Sequence, residues 1–416
     1  MTKNEIDELR IDGNRLLDSV MEMARIGATP DHGCNRQAFT DADREGRDLF
    51  MQWCIAAGCA VRVDPIGNIF ARRATRARRE APTVLSGSHL DTQPTGGRYD
   101  GVYGVLAALE VLRTLNDANL ETATPFEIVV WSNEEGARFS PSLLGSGVWA
   151  GAMPLDFAHR RVDREGRSVR EELERIGYLG SDRCGPSDVK AFFELHIEQG
   201  PILEETRTQI GLVTGIHGLR WLDVQIIGKS CHASSSMDKR LDPVRALGNC
   251  LVRSYELALF RRPSARITFG SIQTQPGSRN TVPECVSLTI DIRHADSDEL
   301  AFLEREIRRI VTTECDALHL GHEIWNQASY SVASFNDDCV QAVKMAAIRL
   351  GYSNMTLVSG AAHDSYWVSQ VVPTAMIFVP SEGGLSHNHA EYSRPEDLAA
   401  GCNVLLHAVL GKLLEV

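Results

Sequence analysis

Four strand-length apolar runs in this chain each lead straight into a cluster of His, Asp or Glu. They are TVLSGSHLDT (83–92), FEIVVWSNEE (126–135), FFELHIEQG (192–200) and TAMIFVPSEGGLSH (374–387). Helical patterns lie between and after them, at 102–115 (VYGVLAALEVLRTL) and in the stretch that follows Pro395. Strands alternating with helices predict an α/β fold, a mixed, mostly parallel sheet flanked by helices. Ligands of such sheets gather beyond the carboxyl ends of the strands, the end at which all four polar clusters stand.

Residues 212–330 follow another pattern. LRWLDVQIIG alternates as a strand, PVRALGNCLVRSYELALF is helical, and ARITFGSIQ and CVSLTIDIRH are two further strands. A second helix (DSDELAFLEREIRRIVTTECDAL) and a last strand (HEIWNQASY) complete a β-α-β-β-α-β order, the split-βαβ or ferredoxin-like arrangement. The chain length of 416 residues also suggests more than one core. The expected organisation is a catalytic domain of 1–211 plus 331–416, with an inserted α+β domain at 212–330.

Composition narrows the function classes. A net charge of −12 argues against a nucleic-acid partner, which needs a basic surface. The one basic cluster, Arg72, Arg73, Arg76, Arg78 and Arg79, reads as a solvated loop. No run approaches the ~20 uninterrupted apolar residues of a membrane helix. The N-terminus is charged from its start and lacks the apolar core of a secretory signal, which predicts a cytoplasmic protein. The ten cysteines form no C-x-x-C pair and read as reduced, mostly buried thiols.

The polar clusters hold the chemistry. His89 and Asp91 are two apart on a strand end and share a face, so the Asp91 carboxylate is expected to accept the second ring N–H of a metal-bound His89. Asp100 stands among glycines in GGRYDGVYG, where a carboxylate with two oxygens could bridge two cations. The adjacent Glu134 and Glu135 are costly at an apolar strand end unless something positive compensates them. One could ligate while the other takes a proton from a bound water. His196 interrupts an apolar strand between Glu194 and Glu198; alone, such a His is more often a core residue. His387 lies in GGLSHNHAEY, with His389 two positions on competing for the same role. Together these residues form a donor set suited to Zn²⁺, Mn²⁺, Co²⁺ or Ni²⁺ and to two-metal hydrolysis.

The segments GSHLDTQPTGGRYDGVYGVLAALE, WSNEEGARF, ELHIEQGP, GSRNTVPE, DIRH and GLSHNHAEY resemble the M20-type metallopeptidase superfamily. More narrowly, they resemble its hydantoinase/carbamoylase amidase branch, which includes N-carbamoyl-L-amino-acid amidohydrolases, allantoate amidohydrolases and β-ureidopropionases. The likeness runs from about Gly27 to the C-terminus. It implies two divalent metal ions per subunit, with Asp100 bridging, His89 and His196 completing one site, and Glu135 and His387 the other. Glu134 would activate the water and then protonate the leaving nitrogen. Arg293 in DIRH would clamp the substrate carboxylate, and Asn280 would contact the carboxylate or ureido group. His232 would stabilise the oxyanion. Gln199, Gly360 and His363 would complete the pocket. The inserted domain would act as lid and dimerisation surface of a homodimer, and the substrate would be a small ureido acid. Cys231, Ser234 and Ala362 depart from the small residues common at those places, which touches substrate identity rather than reaction type. An aminoacylase or dipeptidase of the same superfamily is the alternative; His196, where peptidase relatives use a carboxylate, argues against it.

Overall fold

The structure is a computed structural model that describes residues 3–75, 81–186, 188–262 and 264–415 of the chain. The chain divides into two compact units, residues 1–214 with 334–416, and residues 215–333. Among the described residues the strands, in chain order, begin with β1 (Cys59–Val63), β2 (Ile69–Arg73), β3 (Thr83–His89), β4 (Phe126–Trp131), β5 (Val189–Ile197) and β6 (Ile210–Ile216). Next come β7 (Gly218–Ile227), β8 (Cys231–His232), β9 (Arg266–Gln275), β10 (Thr281–Val282), β11 (Cys285–His294) and β12 (Gly321–Tyr330). The last three are β13 (Ala333–Ser334), β14 (Asn354–Ser359) and β15 (Thr374–Val379).

In the larger unit the sheet order is β1-β2-β4-β3-β5-β15-β6-β13, with β14 beside β6. Its centre, β4-β3-β5-β15, is parallel, and β1, β2 and β6 run antiparallel at its margins. β3, β4 and β15 are buried along their whole length, as strands covered on both faces must be. Their apolar runs are therefore continuous rather than alternating. Two long helices, Val102–Asp117 and Pro395–Leu414, are correspondingly apolar around most of their circumference. The second has the length and composition of a membrane-crossing helix, yet 78% of its most apolar window is buried inside the protein.

The four parallel strands end level with one another. His89 pairs with Trp131 across β3 and β4, and His196 pairs with Phe378 across β5 and β15. That register brings every polar cluster to one edge of the sheet. The division between the units falls at Thr214 and Ser334 rather than at 211 and 331. At the first boundary the physical reason is that β6 pairs with β15 as far as Val213, so the main sheet holds the chain slightly longer there.

The smaller unit is a four-stranded antiparallel sheet, β12-β7-β11-β9. Helices Pro243–Phe260 and Ser297–Ala317 pack on it, and its core includes Leu222, Val224, Ile290, Leu303 and Ile307. The alternate strand residues face this core, the period-2 pattern of a sheet covered on one face.

The basic cluster departs from its expected solvated loop. Arg72 and Arg73 end β2, and Arg73 is buried; Arg76, Arg78 and Arg79 lie outside the described residues. The Arg73 guanidinium donates to Asn116 Oδ1 (2.7 Å) and to the carbonyls of Leu120 (3.0 Å) and Leu115 (3.1 Å). It thus adds side-chain donors around the C-terminus of helix Val102–Asp117, where the Leu115 carbonyl also accepts the Leu120 amide (3.0 Å). Arg73→Met is expected to remove the guanidinium from Asn116 Oδ1 and the Leu120 carbonyl and cost about 1–3 kcal/mol, read as a lower urea midpoint at unchanged m. An unaltered midpoint would count against this role.

Candidate metal centre

His89 is the last residue of β3, Glu134 and Glu135 follow β4 within four residues, and His196 is next to last in β5. His387 lies on the loop after β15. Asp100 comes from the turn before helix Val102–Asp117. The two oxygens of Asp100 face different partners. His89 Nε2 and His196 Nε2 lie 3.6 and 3.2 Å from Oδ1, and His387 Nε2 lies 3.3 Å from Oδ2. His387 Nε2 is also 3.2 Å from Glu135 Oε2, and His89 Nε2 is 3.5 Å from Glu134 Oε2. Two groups of donor atoms result, His89–Asp100–His196 and Asp100–Glu135–His387, each with its atoms within 4.8 Å of one another. His389 belongs to neither, so the geometry favours His387 of the two.

The proton inventory tests whether cations fit. His89 Nδ1 is 2.8 Å from the Asp91 main-chain carbonyl, and His196 Nδ1 is 2.9 Å from that of Ile197. A carbonyl only accepts, so each Nδ1 carries the hydrogen and each Nε2 turns a lone pair toward Asp100. A lone pair facing a carboxylate is repulsive unless a proton or a cation stands between them. Burial disfavours charge on the His89 ring, but the Glu134 charge and the Asp100 contact outweigh it and hold its pKa well above the imidazole range. The contacts to Asp100 and Glu135 push His387 up to about 11. The pocket therefore demands positive charge, and its imidazole and carboxylate donors suit a divalent cation.

Burial also drives the Glu134 carboxyl well above its usual range. Asp91 is pushed to about 6, again mainly by burial. Its carboxylate does not take the expected place beside His89, whose ring hydrogen goes to the Asp91 carbonyl instead. The two carboxylate oxygens accept the amides of Glu134 and Glu135, each at 3.2 Å. Asp91 thus shapes the turn that presents both glutamates.

The carboxylates flanking His196 have structural duties. Glu194 accepts from the hydroxyls of Ser88 and Ser365 (2.7 and 2.6 Å), and Glu198 accepts the amides of Ile202 and Leu203. Gln199 reaches the centre, its Nε2 donating to Asp100 Oδ2 (3.0 Å) and Ser386 Oγ (2.9 Å). His363 is buried with its ring centroid 4.5 Å from that of His196, while Gly360 is exposed on the same loop. Two residues not singled out by the sequence also take part. Gln93 holds Glu135 through its amide (3.1 Å) and its side chain (2.8 Å). Ser386 Oγ lies 3.1 Å from Asp100 Oδ2. Ser386 adjoins His387 in the chain, and Gln93 stands two residues after Asp91; neither offered a stronger signal.

The remaining expected residues belong to the smaller unit. His232 pairs with Thr281 across β8 and β10, and the Ala233 amide donates to the Asn280 carbonyl (2.9 Å), so His232 and Asn280 are neighbours. Ser234, one of the departures, places its hydroxyl 2.8 Å from His232 Nδ1. Arg293 is near the other end of the sheet, paired across strands with Leu219, and its guanidinium is held by Asp291 (2.9–3.2 Å).

Residues 85–411 match the family model described as peptidase family M20/M25/M40. The chain belongs to this family. It is 45% identical over 402 residues, 96% of each chain, to the N-carbamoyl-L-amino-acid amidohydrolase of Rhizobium meliloti. It is 34% identical over 390 residues, covering 92% of this chain and 94% of the other, to the allantoate amidohydrolase of Escherichia coli. Among solved structures, an amidase of the hydantoinase/carbamoylase family from Burkholderia multivorans aligns with a TM-score of 0.93 at 46% identity, over 98% of this chain and 99% of that one. M20 amidohydrolases depend on metal, and this chain has two groups of residues fit to bind it.

Gly101 tests the tightness of the centre. Its φ is +67°, and a Cβ there would lie 2.3 Å from His89 Cε1. Gly101→Ala is expected to displace the His89 ring and weaken cation binding at His89–Asp100–His196 at least about tenfold by calorimetry, in a protein still folded by circular dichroism. Binding equal to the parent's would refute that crowding.

Proposed function

We propose that this chain is a two-metal amidohydrolase that cleaves a ureido C–N bond of an N-carbamoyl-L-amino acid or a related ureido acid, with release of ammonia. The observation that carries this reading is the shared Asp100 with buried Glu134 beside it. Identity reaches 45% and 37% with two N-carbamoyl-L-amino-acid amidohydrolases, against 34% and 32% with two allantoate amidohydrolases, although two further relatives of the first name stand at 34% and 30%.

His89 and His196 would hold one cation, Glu135 and His387 the other, and Asp100 both. Such ions, Zn²⁺ or Mn²⁺ in the first instance and Co²⁺ or Ni²⁺ as alternatives, polarise a carbonyl and acidify a water when bound. Glu134 then accepts the proton of the attacking water and returns it to the leaving nitrogen. Its buried carboxyl is suited to both directions. Arg293 binds the substrate carboxylate through the paired N–H geometry of a guanidinium, with Asp291 fixing its plane. His232 stabilises the developing oxyanion, Asn280 and Gln199 contact the ureido group, and Gly360 and His363 line its carbonyl end. All ten cysteines are free thiols, in keeping with the proposed cytoplasmic setting.

A homodimer through the inserted domain is part of the same reading. Val244, Val252, Tyr255 and Leu259 share one face of helix Pro243–Phe260 and are exposed, as is Phe260 at its end. β9 forms the outer edge of its sheet, a ready template for pairing with a second copy. Arg293 pairs with Leu219, eight residues along β7 from Ile227, or about 26 Å of strand. His232 and Asn280 follow the Ile227 end. One small substrate cannot span that distance within one copy. Arg293 of one copy would therefore act with His232 and Asn280 of the other.

An ammonia-release screen over N-carbamoyl-L-amino acids, allantoate and N-carbamoyl-β-alanine tests the reaction. Chelation should abolish release and added divalent metal restore it, while dipeptides yield no ammonia. Glu134→Gln should lower kcat by about 10²–10⁴ with the metals retained. Full activity of the metal-stripped Glu134→Gln protein would end this proposal. A Val252→Glu/Leu259→Glu variant should sediment as a monomer and lose activity with the dimer; a fully active monomer would reject the shared site.

A further inference from the structure

We propose that Glu391 is a positioning residue that holds Asp100 and the His387 loop together, and so tightens the Asp100–Glu135–His387 group selectively. The inference rests on the two-metal reading above. Glu391 is buried, at 4% exposure, and it follows His387 by four residues. Its Oε1 accepts the amides of Tyr99 (2.9 Å) and Asp100 (3.1 Å), which fixes the main chain carrying the shared carboxylate. Its Oε2 lies 2.9 Å from Ser386 Oγ. That hydroxyl is in turn 3.1 Å from Asp100 Oδ2 and accepts from Gln199 Nε2 at 2.9 Å. Glu391 therefore reaches Asp100 directly through its amide, and Ser386, whose single hydrogen serves one carboxylate at a time, stands between Glu391 Oε2 and Asp100 Oδ2.

The His387 side of the link needs this anchorage. His387 has φ +53°, a left-handed conformation that a non-glycine residue adopts at a cost. Its side chain is half-exposed, unlike those of His89 and His196, so surrounding packing does little to orient it. Ser386, the residue before it, is tied to Glu391, and the Glu391 amide closes the turn by donating to the Asn388 carbonyl (3.0 Å). The loop is thus pinned on both sides of His387.

Gly97 records how closely the fold is built around this carboxylate. A Cβ at position 97 would lie 2.1 Å from Glu391 Oε1 and 2.5 Å from its Cβ. The glycine leaves room for the side chain, and the side chain uses that room to reach the Asp100 amide. The main-chain contacts serve both oxygens of Asp100, but the Ser386 branch ends at Oδ2, the oxygen facing His387, and Glu391 also pins the His387 loop itself, whereas Oδ1 faces His89 and His196 on rigid strand ends. Loss of Glu391 should therefore fall mainly on one donor group rather than equally on both.

The test is titration of the metal-stripped full-length protein with Mn²⁺ or Zn²⁺ against a chromophoric chelator. His387→Ala identifies which of two binding steps belongs to its group. Glu391→Ala should weaken that step about 10- to 100-fold and leave the other within about threefold. Glu391→Gln keeps an oxygen for the two amides and a donor for Ser386, and should recover most of the loss. Should Glu391→Ala fail to fold, Ser386→Ala cuts the link to Oδ2 alone and should weaken the same step about tenfold. Folded variants that titrate like the parent, or that weaken both steps equally without recovery by Gln, overturn the role of Glu391. A parent protein that takes up a single cation overturns the two-metal reading itself, and the proposal with it.

Discussion

Charge placed around Asp100 governs the rest of the larger unit. Its two oxygens face three imidazole nitrogens, and two of those rings have already committed their hydrogens to main-chain carbonyls. Buried lone pairs and carboxylates in such proximity are stable only with positive charge among them. Much of the surrounding architecture holds that arrangement steady. Parallel strands end level, Asp91 clasps the amides of the two glutamates, and Gln93 fixes Glu135. Ordering these groups beforehand is how a metal site gains affinity from its surroundings.

Much of this was legible before any coordinates. The central parallel strands are largely continuous apolar runs because both faces are covered, and clusters of His, Asp and Glu mark their ends, although Glu127 and Glu194 also stand within the strands. The smaller unit announces itself by a change from continuous to alternating apolarity at β7. What escaped the sequence depends on main-chain atoms and through-space contacts. Asp91 stands where a side-chain partner for His89 would, yet its carbonyl does that work and its carboxylate does another. Ser386 and Gln93 look like ordinary loop residues, since nothing local distinguishes a hydroxyl or amide aimed at a ligand. Arg73 belongs by composition to an exposed basic run, and only the position of helix Val102–Asp117 explains its burial.

Under the proposed function, the two units would divide the chemical tasks. Donors for metal come wholly from the larger one, whereas the proposed carboxylate clamp and oxyanion partner come from the smaller. The Burkholderia multivorans likeness extends over both units. On that proposal a change at Ser234, whose hydroxyl meets His232, would touch the substrate side without altering the donor set.

The place of β15 in the sheet has a consequence for how the protein is made. It lies between β5 and β6, yet the entire smaller unit separates it from both in the chain. A ribosome releases the chain N-terminus first, at about 5–20 residues per second. During synthesis β5 and β6 must wait with a gap between them, while the smaller unit, which has its own core, is free to fold. His387 emerges later still. The His89–Asp100–His196 group is thus synthesised whole before the smaller unit, whereas the Asp100–Glu135–His387 group gains its last member only after β15 has filled the gap.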